Sequence, residues 1–304
     1  MARQTSIAHH VEELLDTAVV ATNPVAGGDI CVATRVRLGD GRSVFVKARP
    51  SAPSGFFEAE ARGLEWLASA GAGAAATPAV LGFDRECLVL EWLESGRPSA
   101  ESAERLGHAL ALTHRGGAPT FGASTDGFIG PLPQSNQETD TWTEFYVRHR
   151  VEPYLRMAFN RGRLEADEAN AVCAVLDRIE KYAGPPEPPA RIHGDLWSGN
   201  IVWALDGEPR LVDPAAHGGH RETDLAMLAL FGTPHLDRLV AAYEEVFPLA
   251  DGWRERVQLH QLHPLLTHAA LFGGGYGSRA GHAARLLMAA YDERARGTCE
   301  PNGT

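Results

Sequence analysis

Residues 191–200 read RIHGDLWSGN, and the other predicted parts of the site are placed relative to this stretch. Four residues separate Asp195 from Asn200, and two short apolar runs then lead to Asp213. Asp206-Gly207 lies between the two runs and is a strong signal for a β-hairpin. A hairpin returns the second run beside the first, so we expect Asp213 to lie close to Asn200. The sequence therefore predicts two carboxylates and one amide around a single point.

This arrangement is typical of phosphoryl transfer. Asp195 is placed to accept a proton from a substrate hydroxyl, while Asn200 and Asp213 are placed to hold Mg²⁺ against the phosphates of ATP. The gap of four residues is that of a kinase catalytic loop. A glycosidase acid/base pair is the other interpretation of Asp195 and Asp213. The intervening Asn200 and an upstream lysine, Lys47, argue against it.

The N-terminal part predicts a small antiparallel sheet over a nucleotide. Glycines Gly27 and Gly28 form a turn between two predicted strands, where backbone N–H groups can approach phosphate oxygens. Alone, the two glycines indicate only a tight turn. Lys47 ends a VFVK strand similar to the strand that carries the phosphate-binding lysine of kinases. The helix predicted at 56–67 should pair a carboxylate with Lys47, with Glu60 the first choice and Glu58 the second.

A boundary between two lobes is predicted near residue 93. The apolar strand 88–93 runs into the polar linker ESGRP, so the backbone of Glu91, Trp92 and Leu93 is expected to hydrogen-bond adenine. Any central strand that ends in a turn would look the same, so this prediction depends on its neighbours. Residues 1–93 are expected to form an ATP-binding lobe. Residues 94–304 are expected to form a larger, mainly helical lobe with the catalytic loop, the metal site and the substrate site.

Composition excludes several kinds of partner. The formal net charge of −11 over 304 residues argues against binding to a nucleic-acid backbone or an anionic membrane, and it suits a cationic amine substrate. No apolar run approaches the roughly 20 residues that span a bilayer. The four cysteines form no CxxC pair, which predicts neither a zinc site nor a disulfide framework. A reducing, cytoplasmic compartment is expected.

Two further segments belong to the predicted site. Asp224 opens an apolar helix, where it can cap the helix or brace the backbone of the catalytic loop. The loop 115–137 is long and rich in Gly, Pro, Ser and Asn, and loops of this length in compact domains are usually functional or disordered. Ser99 is expected to cap a helix that runs to about Thr113, and a further helix is expected over 139–159. With the elements above, the sequence predicts an α+β, two-lobed, protein-kinase-like fold.

Three motifs together carry a resemblance to a known family: HGDLWSGN at 193–200, GHRETDLAML at 219–228 and LFGGGY at 271–276. FEAE at 57–60 and GPLPQSN at 130–136 also fit. The chain resembles the fructosamine kinase (ketosamine-3-kinase) family, a relative of aminoglycoside phosphotransferases and choline kinases. The likeness covers roughly residues 5–295.

The resemblance implies ATP-dependent phosphorylation of the sugar O3 of a ketosamine, a reaction that repairs glycated amines. It implies that Trp197 offers a flat face to the substrate and that His217 or His220 lines the substrate mouth. It also raises the question of a redox-sensitive Cys31, for which an inert, partly buried thiol is the simpler interpretation. The preferred sugar and amine, the choice between free and protein-bound substrates, and the oligomeric state stay open.

Two alternatives remain from the sequence. One is a kinase for an aminoglycoside, a choline-like amine or another small alcohol. The other is a nucleotide-binding pseudokinase without turnover. Lys47, Asp195, Asn200 and Asp213 are all present, which favours an active enzyme.

Overall fold

The computed structural model of the protein describes residues 2–26 and 30–297. Its N-terminal part is a five-stranded antiparallel sheet with strand order β1-β2-β3-β5-β4, flanked by two helices. The elements are α1 Ala2–Leu15, β1 Val19–Pro24, β2 Val32–Leu38, β3 Ser43–Ala48, α2 Phe56–Ala68, β4 Val80–Phe83 and β5 Cys87–Glu91.

The central strand β3 explains where Lys47 points. Val44 and Val46 are buried on one face of the strand, where they pack under α1. Because successive side chains of a strand point to opposite faces, Phe45 and Lys47 lie on the other face. Lys47 is paired with Ala33 of β2 and Leu88 of β5, so strands on both sides fix its position.

Helix α2 lies on the same face of the sheet as Lys47. It begins after Gly55, whose φ of 78° is a left-handed conformation that glycine adopts readily. Its buried residues Phe57, Ala61 and Leu64 recur at helical spacing and pack against β5. This orientation leaves Glu60 on the side of the helix that faces Lys47.

The remaining chain is mainly helical and has two hydrophobic cores. Its first half contains α3 Ala100–Arg115, β6 Gly127–Ile129, β7 Leu132–Gln134, α4 Trp142–Phe145, α5 Glu152–Asn160, α6 Ala166–Leu176 and α7 Ile179–Tyr182. Its second half contains β8 Ala190–Ile192, β9 Ile201–Trp203, β10 Pro209–Leu211, β11 His217–Gly219, α8 Glu222–Phe231, α9 Leu236–Val246, α10 Trp253–Phe272 and α11 Tyr276–Gly297.

Several predicted elements are confirmed. Asp206-Gly207 forms the tip of the β9–β10 hairpin, in which Ile201 pairs with Leu211. Ser99 caps α3 through a reciprocal pair of bonds with Ser102, which satisfies free N–H groups at the helix start.

Other elements depart from the sequence-based predictions. The long loop 115–137 contains the short β6–β7 hairpin, and the helix predicted over 139–159 contains a π-helical turn at Tyr146–Val151. The strand leading into the catalytic loop, β8, pairs with β11, so Ile192 lies opposite His217. This pairing brings the segment after Asp213 back beside the catalytic loop.

The predicted fold class is confirmed, since a small antiparallel sheet stands against a larger helical part across a cleft. Among the helices described, none is long and apolar enough to cross a bilayer.

Candidate active site

A largely buried ion pair joins the sheet to α2. The Nζ of Lys47 donates to both carboxylate oxygens of Glu60 at 2.8 Å, and also to Oδ1 of Asp213 at 2.8 Å. Glu58, the second choice from the sequence, instead accepts a bond from Arg62 on the exposed side of the helix. Lys47 therefore links the N-terminal sheet to the catalytic half of the chain.

The charges around Lys47 keep it protonated. Burial alone would lower the pKa of this ammonium group, but the carboxylates of Glu60 and Asp213 outweigh burial and raise the pKa. A lysine held charged and aimed into a cleft can bind phosphate oxygens as a point charge.

Asp195 and Asn200 contact each other directly. The Nδ2 of Asn200 donates to the backbone oxygen of Asp195 at 2.8 Å and to its Oδ2 at 3.2 Å. Burial, and then the nearby charge of Asp213, raise the pKa of Asp195 to about 7. A carboxylate with a pKa close to neutral is suited to proton transfer at physiological pH.

The catalytic loop is held by a buried acid from α8. Asp224 accepts the backbone N–H of His193 at 2.7 Å and that of Gly194 at 2.9 Å. The predicted bracing role of Asp224 is confirmed by these bonds. The capping alternative is wrong, because α8 begins two residues earlier at Glu222 and Asp224 lies inside its first turn. His114 of α3 bonds to the same carboxylate at 3.1 Å, and no motif or spacing predicts this contact.

Asp213 follows the catalytic hairpin in an unusual backbone conformation. Its φ is 56°, in the left-handed region that few residues other than Gly, Asn and Asp adopt. The hairpin places it correctly, since the N–H of Val212 donates to the backbone oxygen of Asn200 at 3.0 Å. Asp213 and Asn200 therefore lie close together, as expected from the hairpin, and both line the cleft described below.

Five of the side chains described above line one cleft of about 1270 Å³. They are Lys47, Glu60, Asp195, Asn200 and Asp213. The volume exceeds that of a single small-molecule pocket, so the cleft has room for two ligands side by side.

One end of the cleft, beside Asp195, has an aromatic wall. Trp197 is 37% exposed, and its ring lies 6.0 Å from that of Phe231, which in turn is 4.8 Å from the ring of His268. The other members of the wall are Phe272 and Tyr276. Of the wall residues, the sequence predicted only Trp197 as a substrate contact. His268, Phe272 and Tyr276 follow one another at four-residue spacing across the junction of α10 and α11, whereas Phe231 comes from the end of α8. No local pattern links these two segments to each other or to Trp197.

The two histidines predicted at the substrate mouth have different positions. His217 is buried but lines the cleft, where its Nδ1 donates to the backbone oxygen of Ala215 and its Nε2 accepts from Arg150. Burial, and then the charge of Arg150, lower the pKa of His217 well below its usual value. It is therefore neutral, with both ring nitrogens occupied.

His220 does not line the cleft. Its ring packs 4.9 Å from Trp142 and 4.8 Å from His260, in the helical core. With Glu222, these two histidines form a compact group of metal-ligand type. Both oxygens of Glu222 accept bonds from Arg256, so the structure supports a buried salt-bridge network at this point. His217 lies in β11, whereas His220 comes just after the strand ends, and the two rings have different neighbours.

None of the residues predicted to bind adenine or to form the phosphate loop is among the described residues that line this cleft. Gly27 and Gly28 lie outside the described residues. Glu91, Trp92 and Leu93 are described but do not line the cleft. The N–H of Glu91 donates to Ala79, and the ring of Trp92 lies against the guanidinium of Arg35 at 4.3 Å. Their role in binding adenine stays a prediction.

Cys31 lines the same cleft next to the sheet. Burial is the largest influence on its thiol and raises its pKa to about 11. Because the thiolate is the reactive form, this environment is that of an unreactive cysteine.

Comparisons with known proteins agree with this geometry. A family model described as fructosamine kinase matches residues 3–290. A protein of Enterococcus faecium named a probable ketoamine kinase is 37% identical over 84% of this chain and 91% of its own. The chloroplastic protein-ribulosamine 3-kinase of Arabidopsis thaliana is 32% identical over 87% of this chain and 81% of its own.

Solved structures give the same result. A crystal structure from Thermobifida fusca, provisionally named a fructosamine-3-kinase, is 50% identical with a TM-score of 0.89, and the match covers 93% of this chain and 99% of that one. Choline kinase LicA of Streptococcus pneumoniae, at 16% identity and a TM-score of 0.62 over 95% of this chain and all of that one, shares the fold. The family model spans nearly the whole chain, and the relatives exceed 30% identity over most of it. The chain therefore belongs to the fructosamine kinase family.

Proposed function

We propose that this protein transfers the γ-phosphoryl group of ATP to a sugar hydroxyl, O3, of a ketosamine such as a fructosamine or ribulosamine. Membership of the family and the names of its relatives support phosphorylation of a hydroxyl group with ATP as donor. The observation that carries the proposal is the meeting of Lys47, Asp195, Asn200 and Asp213 in one cleft.

The residues present fit a magnesium ion. Mg²⁺ prefers oxygen ligands and commonly uses one or two protein carboxylates together with phosphates and water. The amide nitrogen of Asn200 is bonded to Asp195, which leaves its oxygen as the atom for a cation. Asp213 uses Oδ1 on Lys47, and its side chain is 46% exposed to the cleft. We propose that Asn200 and Asp213 hold the ion, which would neutralise charge on the phosphates.

The protein's own groups then have separate roles. Lys47, aimed by Glu60, binds phosphate oxygens and sets the position of the donor. Asp195 accepts the proton from the acceptor hydroxyl as that oxygen attacks phosphorus. The amide of Asn200 holds the Asp195 carboxylate in place through the bond at 3.2 Å.

The aromatic wall supports an acceptor with both a polar and an apolar part. Trp197 lies two residues after Asp195, so its ring can cover a sugar or a carbon chain whose hydroxyl reaches that carboxylate. We propose that the sugar lies beside Trp197 and the amine substituent along the outer aromatic residues. His217, neutral and fully bonded, contributes shape to this site and takes no part in proton transfer.

The two alternative functions have weaker support. Spectinomycin phosphotransferase and choline kinase LicA are under 25% identical, so their likeness extends to the fold alone. A pseudokinase would be expected to lack one of the four polar groups, and all four are present and in contact distance of a neighbour.

The test is a panel of acceptors supplied with MgATP. We expect ATP consumption with a synthetic fructosamine or ribulosamine and background rates with kanamycin and choline. Turnover of kanamycin or choline alone would support the small-alcohol kinase. Nucleotide binding without turnover of any acceptor would support the pseudokinase.

A further inference from the structure

One arginine joins the catalytic strand to the end of α2. Arg191 lies in β8, four residues before Asp195, and its Nη1 donates to the backbone oxygen of Trp66 and to Oγ of Ser69 at 2.8 Å. Its guanidinium carbon lies 4.6 Å from the centre of the Trp66 ring. Its Nε donates to the backbone oxygen of Gly117 at 3.3 Å, just after α3.

These contacts fix the helix that carries Glu60. Trp66 lies six residues beyond Glu60, which is less than two turns, or about 9 Å along a helix. A bond to the last-turn carbonyl and a cation over the ring together oppose both sliding and rotation of α2. Either motion would move the Glu60 carboxylate away from Lys47.

A second contact presses α2 against the chain after Asp213. Gly63, one turn beyond Glu60, faces the catalytic half, and a Cβ built there would lie 3.1 Å from Cγ of Pro214 and 3.4 Å from Cβ of Ala216. Glycine is unfavourable inside a helix, so the close approach gives a reason for its presence. The helix therefore contacts both sides of the catalytic loop.

We propose that Arg191 is a positioning residue that locks α2 to the catalytic strand, so that the Lys47–Glu60 pair stays in its nucleotide-binding arrangement without an external switch. The proposal rests on the role of Lys47 and Glu60 given above. The contacts that Arg191 makes with α2 form this lock, and they lie on the side of the cleft to which α2 belongs.

The test compares Arg191→Ala and Arg191→Lys with the wild type. Loss of charge-assisted bonds should raise KM for ATP about tenfold and leave KM for the ketosamine within about twofold. Lysine, which keeps a cation and a donor, should restore most of the affinity for ATP. Amides of residues 56–68 should exchange hydrogen faster in Arg191→Ala, while those of α10 should not change.

Arg163→Ala is the matched control, because this arginine also bonds a distant backbone carbonyl, that of Ala270, far from α2. It should leave KM for ATP and exchange in α2 unchanged. Wild-type KM and exchange in Arg191→Ala would overturn the proposal. So would equal changes in both KM values with faster exchange throughout the protein, the pattern of general destabilisation.

Gly63→Ala tests the lock by a second route, since the added methyl pushes α2 away from Pro214. It should raise KM for ATP and speed exchange in α2 as Arg191→Ala does, and an unchanged KM would count against the lock. Lys47→Ala separates the two proposals. If it leaves nucleotide affinity intact, the proposed function fails. If it weakens affinity and Arg191→Ala does not, only the lock fails.

Discussion

Two carboxylates in the cleft differ in acidity because their neighbours differ. Asp195 is affected most by burial and then by the charge of Asp213, and its pKa is raised to about 7. Burial acts on Asp213 too, but the Lys47 ammonium outweighs it and lowers the pKa. One acid can therefore exchange a proton near neutral pH while the other stays ionised for a cation. Such a separation is how environment assigns roles to paired acids.

Asp195→Asn tests the proton-accepting role. The amide is close in shape but cannot accept the proton, so kcat should fall by roughly 10²–10⁴-fold. Nucleotide affinity, measured by calorimetry with MgADP, should stay close to that of the wild type because the phosphate-binding groups are untouched. Retention of most of the turnover would remove Asp195 as the base.

Asp213→Asn tests the cation-binding role without straining the backbone. Asparagine tolerates the φ of 56°, whereas alanine would add strain at this position. Loss of the charge should raise KM for MgATP at least about tenfold. Asp206→Asn makes the same chemical change at the exposed hairpin tip and should have no effect. Equal KM values in the two variants would argue against a metal at Asp213.

The ion pair of Glu222 predicts how the stability of the fold depends on pH. Burial alone would raise the pKa of Glu222, but the adjacent His260 ring and the bonds from Arg256 lower the pKa to about 2. Because the native pKa lies below the unfolded value of 4.5, the ion pair stabilises the fold above pH 4.5, and this contribution is lost as pH falls towards 2.

Glu222→Gln should therefore lower the free energy of unfolding by roughly 3 kcal/mol or more at pH 7, because Arg256 is left buried without its partner. The difference from wild type, measured by urea denaturation, should shrink steadily below pH 4.5. A difference that is the same at pH 7 and pH 3 would contradict the assignment.

At the scale of elements, features that depend on neighbouring residues could be predicted from the sequence, whereas pairings between distant strands could not. Asp206-Gly207 and Ser99 act on their own neighbours, so the hairpin and the capped helix could be predicted from the sequence. Strands β8 and β11 have three residues each and lie some 25 positions apart, so no periodicity marks their pairing. The π-helical turn likewise has no local signature.

The same distinction applies to the site. Asp195 and Asn200 come just before the β9–β10 hairpin and Asp213 just after it, so the sequence could predict that they line one cleft. The choice between Glu60 and Glu58 required the rotation of α2, which depends on how its apolar face packs. The aromatic wall joins residues 268–276 to Trp197 and Phe231, and this combination depends on the relative placement of separate helices, which no single stretch of sequence contains.

The packing of α3 against α9 predicts that replacing a glycine inside a helix by alanine destabilises the protein, which is the opposite of the usual effect. Gly107 lies inside α3, where alanine would normally be more favourable by about 0.5–1 kcal/mol. A Cβ at this position would lie 2.2 Å from the backbone oxygen of Leu239 in α9. Gly107→Ala should therefore destabilise the protein by roughly 1–3 kcal/mol.

The measurement is thermal unfolding, with His108→Ala as the control on the exposed face of the same helix. His108→Ala loses only a surface contact with Glu245 and should be close to neutral. A Gly107→Ala variant as stable as wild type would mean that α3 and α9 are not in the close contact described.

At the scale of the whole molecule, we propose that the two lobes divide between residues 93 and 94. Immediately after that point the chain bonds to the catalytic hairpin: the N–H of Leu205 donates to the backbone oxygen of Glu94, and that of Gly96 to Trp203. Strand β5 itself pairs with β3 and β4 within the sheet. Before β5, Ala76 also accepts the N–H of Leu211, so the two lobes touch there as well. The linker thus belongs to the larger lobe, and the Lys47–Asp213 and Arg191–Trp66 contacts cross between the lobes.

The central claim is that these two lobes bring ATP and a ketosamine together at Asp195. The most direct measurement is ³¹P NMR of the purified protein with MgATP and a synthetic fructosamine, with Asp195→Asn as the control. We predict a new phosphate monoester resonance that couples to the sugar H3 proton, formed in equal amount with ADP and missing with Asp195→Asn. ADP formed with inorganic phosphate and with no sugar phosphate even in the earliest spectra, or a sugar phosphate formed equally well by Asp195→Asn, would contradict the account.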